Sequence, residues 1–147
     1  MKIIVDGDGC AGRDIIEEEA KASDIGLIIY CDINHFISSD YAEVKIIDSG
    51  FQSVDMAVVN SCKEGDIVVS QDYGVAAMTL SKKAMCLSPS GYIYDNDNID
   101  RLLMERHIKS KIRRGGGKTS NPRKRTYEDD DRLRFNLRKL ISKATQK

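Results

Sequence analysis

The sequence predicts an α/β protein with a mostly parallel sheet between helices. Three observations predict it. Short apolar runs, Ile3-Ile4-Val5, Leu27–Cys31, Val44–Ile47 and Ile67-Val68-Val69, recur along the chain. Segments with helical periodicity separate them, which is the pattern of βαβ units. Glycine and aspartate punctuate the boundaries, as in Asp6-Gly7-Asp8-Gly9, Asp48-Ser49-Gly50 and Gly65-Asp66. The chain has 147 residues, 41% of them hydrophobic, enough for one packed domain and too many for a disordered chain.

Each element has its own justification. Lys2–Asp6 is a buried strand, because three consecutive apolar residues require cover on both faces. Residues 12–23 form a helix whose acidic start, Asp14 and Glu17-Glu18-Glu19, suits the positive end of the helix dipole. Gly26 ends it, Leu27–Cys31 is the second strand, and residues 32–41 are a polar loop. Val44–Ile47 is the third strand. Ser53–Lys63 is a helix with Val54, Val58 and Cys62 on one face, and Ile67–Val69 is the fourth strand. Residues 73–83 form a helix, Ala84–Leu87 a fifth strand, Tyr92–Tyr94 a short extension, and Asn98–Ile112 a further helix. Residues 113–126, rich in Gly and Arg, form a linker. Residues 127–147 hold a last helix capped by Thr126. Its stripe of Leu133, Leu137, Leu140, Ile141 and Ala144 needs a partner, either the body at residues 1–112 or a second copy in a homodimer.

Charge divides the chain where composition shifts. The formal net charge is zero, with 23 basic and 23 acidic residues. Residues 1–100 carry 7 basic and 18 acidic side chains, and residues 101–147 carry 16 and 5. A basic segment on an acidic body points to nucleic acid or to attraction between the two parts. Arg106, Lys109, Lys111, Arg113, Arg114, Lys118, Arg123, Lys124 and Arg125 would neutralise phosphates without reading sequence. No apolar run approaches the roughly 20 residues that span a bilayer, so no membrane is expected. Four scattered cysteines without a C-x-x-C pair fit reduced thiols and a cytoplasmic location.

Acids gather at strand ends. Asp6 closes the first strand with Asp8 two residues on, Asp72 follows the fourth, and Asp55 opens the helix after the third. In a parallel sheet these ends share one edge, where ligands bind. Clustered carboxylates repel, and a hard divalent cation such as Mg²⁺ or Mn²⁺ relieves that. Asp66 precedes its strand and belongs at the opposite edge. Ser70 is placed to bond a phosphate, a metal-bound water or its own turn. Cys10 is either a reactive thiol near the site or a small packed residue.

These residues resemble a family. Val5-Asp6-Gly7-Asp8-Gly9-Cys10 is similar to the V-D-x-D-x-C-P opening of the YaiI/YqxD proteins. Gly65-Asp66-Ile67-Val68-Val69-Ser70-Gln71-Asp72 is similar to their G-D-L-V-V-T-x-D, and Leu87-Ser88-Pro89-Ser90-Gly91-Tyr92-Ile93-Tyr94 to their L-N-P-x-G-x-x-Y. Asn98-Ile99, Leu103-x-x-Arg106, Gly116-Gly117, Pro122, Asp131-Arg132 and Phe135 continue the likeness. The chain departs from the pattern at Ala11, Gln52 and Met56. The resemblance implies a three-layer, PIN-like fold of uncharacterised biological role. It also implies a metal-dependent nuclease-like hydrolase site for RNA or another phosphodiester, with Asp6, Asp55 and Asp72 as ligands and Asp8 as a fourth acid. Two alternatives stand beside this. One is a non-catalytic nucleic-acid-binding protein on the same fold. The other is a phosphatase of the haloacid-dehalogenase type, with Asp6 as nucleophile, Asp8 as general acid and a lysine still to be found.

Overall fold

In the computed structural model, residues 1–8, 10–35, 37–48, 50, 52–117 and 124–146 are described. Eleven elements follow one another: β1 (Lys2–Asp6), α1 (Arg13–Ala22), β2 (Gly26–Asp32), β3 (Glu43–Ile47), α2 (Val54–Ser61), β4 (Ile67–Val69), α3 (Tyr73–Ser81), β5 (Met85–Leu87), β6 (Ile93–Tyr94), α4 (Ile99–Arg114) and α5 (Tyr127–Thr145). The strands form one sheet in the order β3-β2-β1-β4-β5-β6. The first five strands run parallel, and β6 returns antiparallel along β5. The strand order reverses between β1 and β4, and that switch point opens a crevice at the carboxyl ends.

The apolar runs explain the layers. Ile3 and Val5 face one side of the sheet with Leu27, Ile29, Ile67 and Val69, under α1 and α5. Ile4 and Val68 face the other side, under α2, α3 and the start of α4. Successive β-strand side chains alternate faces, so a central strand covered on both sides must be apolar throughout. The expected α/β layering, with a C-terminal helix, is therefore what the chain adopts.

The stripe of α5 finds its partner within the chain. Leu133 and Leu137 are fully buried, and Leu140 and Ile141 join them against Ile15, Ile16 and Ala20 of α1. Glu19 of α1 is buried too, and Arg134 and Arg138 of α5 pair with it. The 88–91 turn holds the other end of α5. Gly91 has φ +89°, and a Cβ there would lie 2.4 Å from the backbone nitrogen of Leu133. Only glycine permits that approach.

Several boundaries differ from the sequence expectation. The helix predicted over Ser53–Lys63 stops at Ser61, because Asp66 draws the Lys63 N–H to its carboxylate (2.9 Å). α4 runs two residues into the predicted 113–126 linker. Basic residues in its last turn favour the negative end of the helix dipole, and Gly115 follows as the cap. Tyr92–Tyr94 yields a two-residue strand. Asp66 lies at the amino-terminal edge of the sheet, as expected, where it accepts from the Lys2 backbone N–H (3.1 Å) and Nζ (2.7 Å).

Candidate functional site

Asp6 anchors the carboxyl-terminal edge. It is the last residue of β1 and pairs in register with Tyr30, so the sheet surrounds it and leaves it 7% exposed. The Ser70 hydroxyl donates to its Oδ2 (3.1 Å), and the Asp8 backbone N–H donates to its Oδ1 (3.3 Å). Burial pushes its carboxyl up to about 6 despite those two bonds, with smaller contributions from the charges of Asp8 and Asp55.

Ser70 connects two acids. It is 1% exposed at the end of β4, and its oxygen accepts the Asp72 backbone N–H (3.0 Å) while its proton goes to Asp6. The hydroxyl is thus engaged on both sides and positions Asp6 and Asp72. The turn bond expected of Ser70 is formed. Asp72 caps α3, accepting from the N–H groups of Gly74 (2.7 Å) and Val75 (3.3 Å), and the same oxygen stands 3.5 Å from Nη1 of Arg106. Asp55 projects from the exposed first turn of α2. Asp6, Asp8, Asp55, Asp72 and Arg106 line one pocket of about 400 Å³ at the switch point.

The tightest acidic group is a different one. Among the described residues, Asp8, Asp32 and His35 bring one ligand atom each within 4.8 Å of one another. His35 Nδ1 lies 2.7 Å from Asp32 Oδ1 and 3.9 Å from Asp8 Oδ1. The hydrogen bond to Asp32 raises the imidazole pKa, and the same bond lowers that of the Asp32 carboxyl. Asp8 therefore belongs to both arrangements, whereas Asp6, Asp55 and Asp72 share a pocket without closing to that distance. Neither Asp32 nor His35 is among the sequence-predicted site residues; both fall in the stretch read as a polar loop. The pairing of β1 with β2 ends at Asp6 and Tyr30, and Asp8 and Asp32 each lie two residues beyond that pair.

The remaining candidates separate. Cys10 is buried, and burial pushes its thiol up to about 11, a setting that suits a packed residue. Arg106, Lys109, Lys111, Arg113 and Arg114 are exposed along α4, and Lys124 is exposed before α5. Arg125 donates from Nε to Asp130 (2.7 Å) and from Nη1 to the Pro89 carbonyl (2.8 Å), which ties the start of α5 to the 88–91 turn, while its Nη2 has no hydrogen-bond partner. Lys118 and Arg123 lie outside the described residues.

Fold and site together define a three-layer α/β domain with an acidic pocket at the switch point of its sheet and a close Asp8–Asp32–His35 group, sharing Asp8 with that pocket, that is compatible with a divalent cation. The chain belongs to the uncharacterised YaiI/YqxD family, whose model matches residues 4–143. It is 64% identical over 144 residues to a UPF0178 protein of Clostridium perfringens, covering 98% of this chain and 97% of that one. A UPF0178 protein of Clostridium novyi is 61% identical over 147 residues, covering 100% and 99% of the two chains. The crystal structure of Rae1 (YacP) from Bacillus subtilis is similar over 97% of this chain and 99% of that one, with a TM-score of 0.49 and 16% identity.

Proposed function

We propose that this protein is a nuclease-like hydrolase dependent on Mg²⁺ or Mn²⁺, acting in the cytoplasm on RNA or another phosphodiester. One observation carries the reading: four carboxylates from β1, α2 and the β4–α3 turn converge on one pocket, and the most buried of them resists ionisation. Such a cluster fits a hard cation. Its donors are all oxygens, and Asp8 Oδ1 is buried without a hydrogen-bond partner. Asp6, Asp55 and Asp72 would hold the ion, with Asp8 assisting. A bound ion of this kind supplies a Lewis acid for the phosphoryl oxygens and an acidified water.

The chain's own residues supply the rest. Ser70 fixes the orientation of Asp6, and the first turn of α3 fixes Asp72. Arg106, beside Asp72, offers a guanidinium whose two N–H groups match a phosphate. The exposed basic side chains of α4 add affinity for the phosphate backbone. Among the described residues no helix is long and apolar enough to cross a membrane.

The full chain should cleave single-stranded RNA when Mg²⁺ or Mn²⁺ is added, and Asp6→Asn should abolish cleavage. Cleavage surviving that substitution would remove this site from consideration. The second reading, binding without catalysis, is favoured by one observation: Asp72 is already engaged by α3 and Arg106. It predicts steeply salt-dependent binding and no metal-dependent cleavage. The phosphatase reading lacks its lysine, since the cation lining the pocket is Arg106.

A further inference from the structure

A second cleft shares a wall with the acidic pocket. Gln71 and Tyr73 line both, and beyond them the cleft continues over Ser88, Ser90, Tyr92 and Tyr94 with a volume of about 490 Å³. Its lining carries no charged side chain. Three tyrosine rings, two serine hydroxyls and an amide surround it, which suits a neutral planar group with polar edges and does not suit a phosphate.

The rings are held in place. Tyr94 is buried and meets Tyr73 edge to face, with centroids 5.9 Å apart and planes at 71°. Tyr92 is 51% exposed, yet its ring is not loose. The Arg132 guanidinium lies 4.2 Å from the ring centroid, and that guanidinium is itself tied to the Ser90 carbonyl (3.1 Å) and Asp129 (2.9 Å). A cation on one face of an aromatic ring both orients it and leaves it a prepared surface for stacking.

We propose that this cleft is a nucleobase subsite, in which Tyr92 stacks a base of a single strand whose phosphodiester lies at Asp6, Asp55 and Asp72. The inference rests on the nuclease-like reading above and names its substrate class: single-stranded nucleic acid with bases present. Stacking on Tyr92 is blind to base identity, because every base has a π face. The phosphate backbone would then run from the acids toward the basic face of α4.

The test uses the full chain carrying Asp6→Asn, with Mn²⁺ present, so that binding is measured without cleavage. Fluorescence anisotropy compares a short labelled oligouridine with an abasic ribose-phosphate strand of the same length. The oligouridine should bind about tenfold more tightly. Adding Tyr92→Ala should erase that advantage and leave the abasic strand's affinity unchanged. Tyr92→Leu, which keeps the bulk and loses the π face, should do the same, while Tyr92→Trp should retain the advantage. Equal binding of the two strands, or an advantage that survives both Tyr92→Ala and Tyr92→Leu, overturns the subsite and leaves the nuclease-like reading standing. Failure of both strands to bind overturns the subsite and leaves the nuclease-like reading to the cleavage assay.

Discussion

Asp6→Asn should stabilise the protein at neutral pH, by an amount that disappears in acid. The Asp6 carboxyl is raised from 3.8 to about 6 in the folded chain, chiefly by burial. Between those two pH values the folded state binds more protons than the unfolded one, so stability falls as pH rises through the window and levels off above 6. A shift of roughly two pKa units caps the effect at about 3 kcal/mol. The pocket is open to water, and screening reduces this to about 1–2 kcal/mol. Asparagine can still accept the Ser70 hydroxyl, but it loses one acceptor for the long Asp8 N–H bond (3.3 Å). That loss is the same at every pH and cancels when two pH values are compared. Urea unfolding of both proteins in chelator at pH 4.5 and 7.5 should therefore show the variant gaining about 1–2 kcal/mol on the wild type between the two. This corresponds to about 3–6 °C in Tm. A stability difference that stays flat with pH would refute the assignment of a buried, resisting carboxyl to Asp6.

Other perturbations have comparable reach. Ser70→Ala strips a buried partner from Asp6 and from the Asp72 N–H, and should cost about 1–3 kcal/mol in urea unfolding. Leu137→Ala, at a fully buried position on α5, should cost about 2–5 kcal/mol. A smaller loss in calorimetry would show that α5 is not part of the core. Gly91→Ala combines a positive φ with a Cβ driven into the Leu133 backbone, so it should destabilise by more than about 2 kcal/mol and expose α5 to limited proteolysis. All four cysteines are buried and unpaired, so a thiol reagent should label them at the rate of unfolding, far more slowly than in urea-denatured protein.

How much was legible in the sequence depended on whether a signal was local. Ile3-Ile4-Val5 announced a central strand because both faces had to be covered, and Asp6 at its end announced the edge of the site. The stripe of α5 was equally plain, but its partner was not. Choosing between α1 and a second copy required knowing that Glu19 sits where Arg134 and Arg138 can reach it. His35 was passed over because its approach to Asp8 joins distant parts of the chain, which no window of adjacent residues contains. The tie from Arg125 to the body was not legible, because a run of basic residues looks alike in sequence. In the fold, its Nη1 is satisfied by the Pro89 carbonyl, 36 residues away. The Tyr92–Tyr94 extension was read from sequence, yet its two-residue antiparallel pairing with β5 was too short for any periodicity to reveal.

Arg132 belongs at once to α5 and to the ring of Tyr92, and this has a thermodynamic consequence. Local opening of α5 removes the guanidinium that orients the ring, so the helix's opening equilibrium and the cleft's geometry are linked. Linkage is reciprocal. An occupant of the cleft that needs the oriented ring must slow amide exchange along α5. A change that frays α5, even at the buried Glu19 of α1, weakens that occupant to the extent that it depopulates the closed helix. The C-terminal helix would then report, through its exchange rates, whether the cleft is filled.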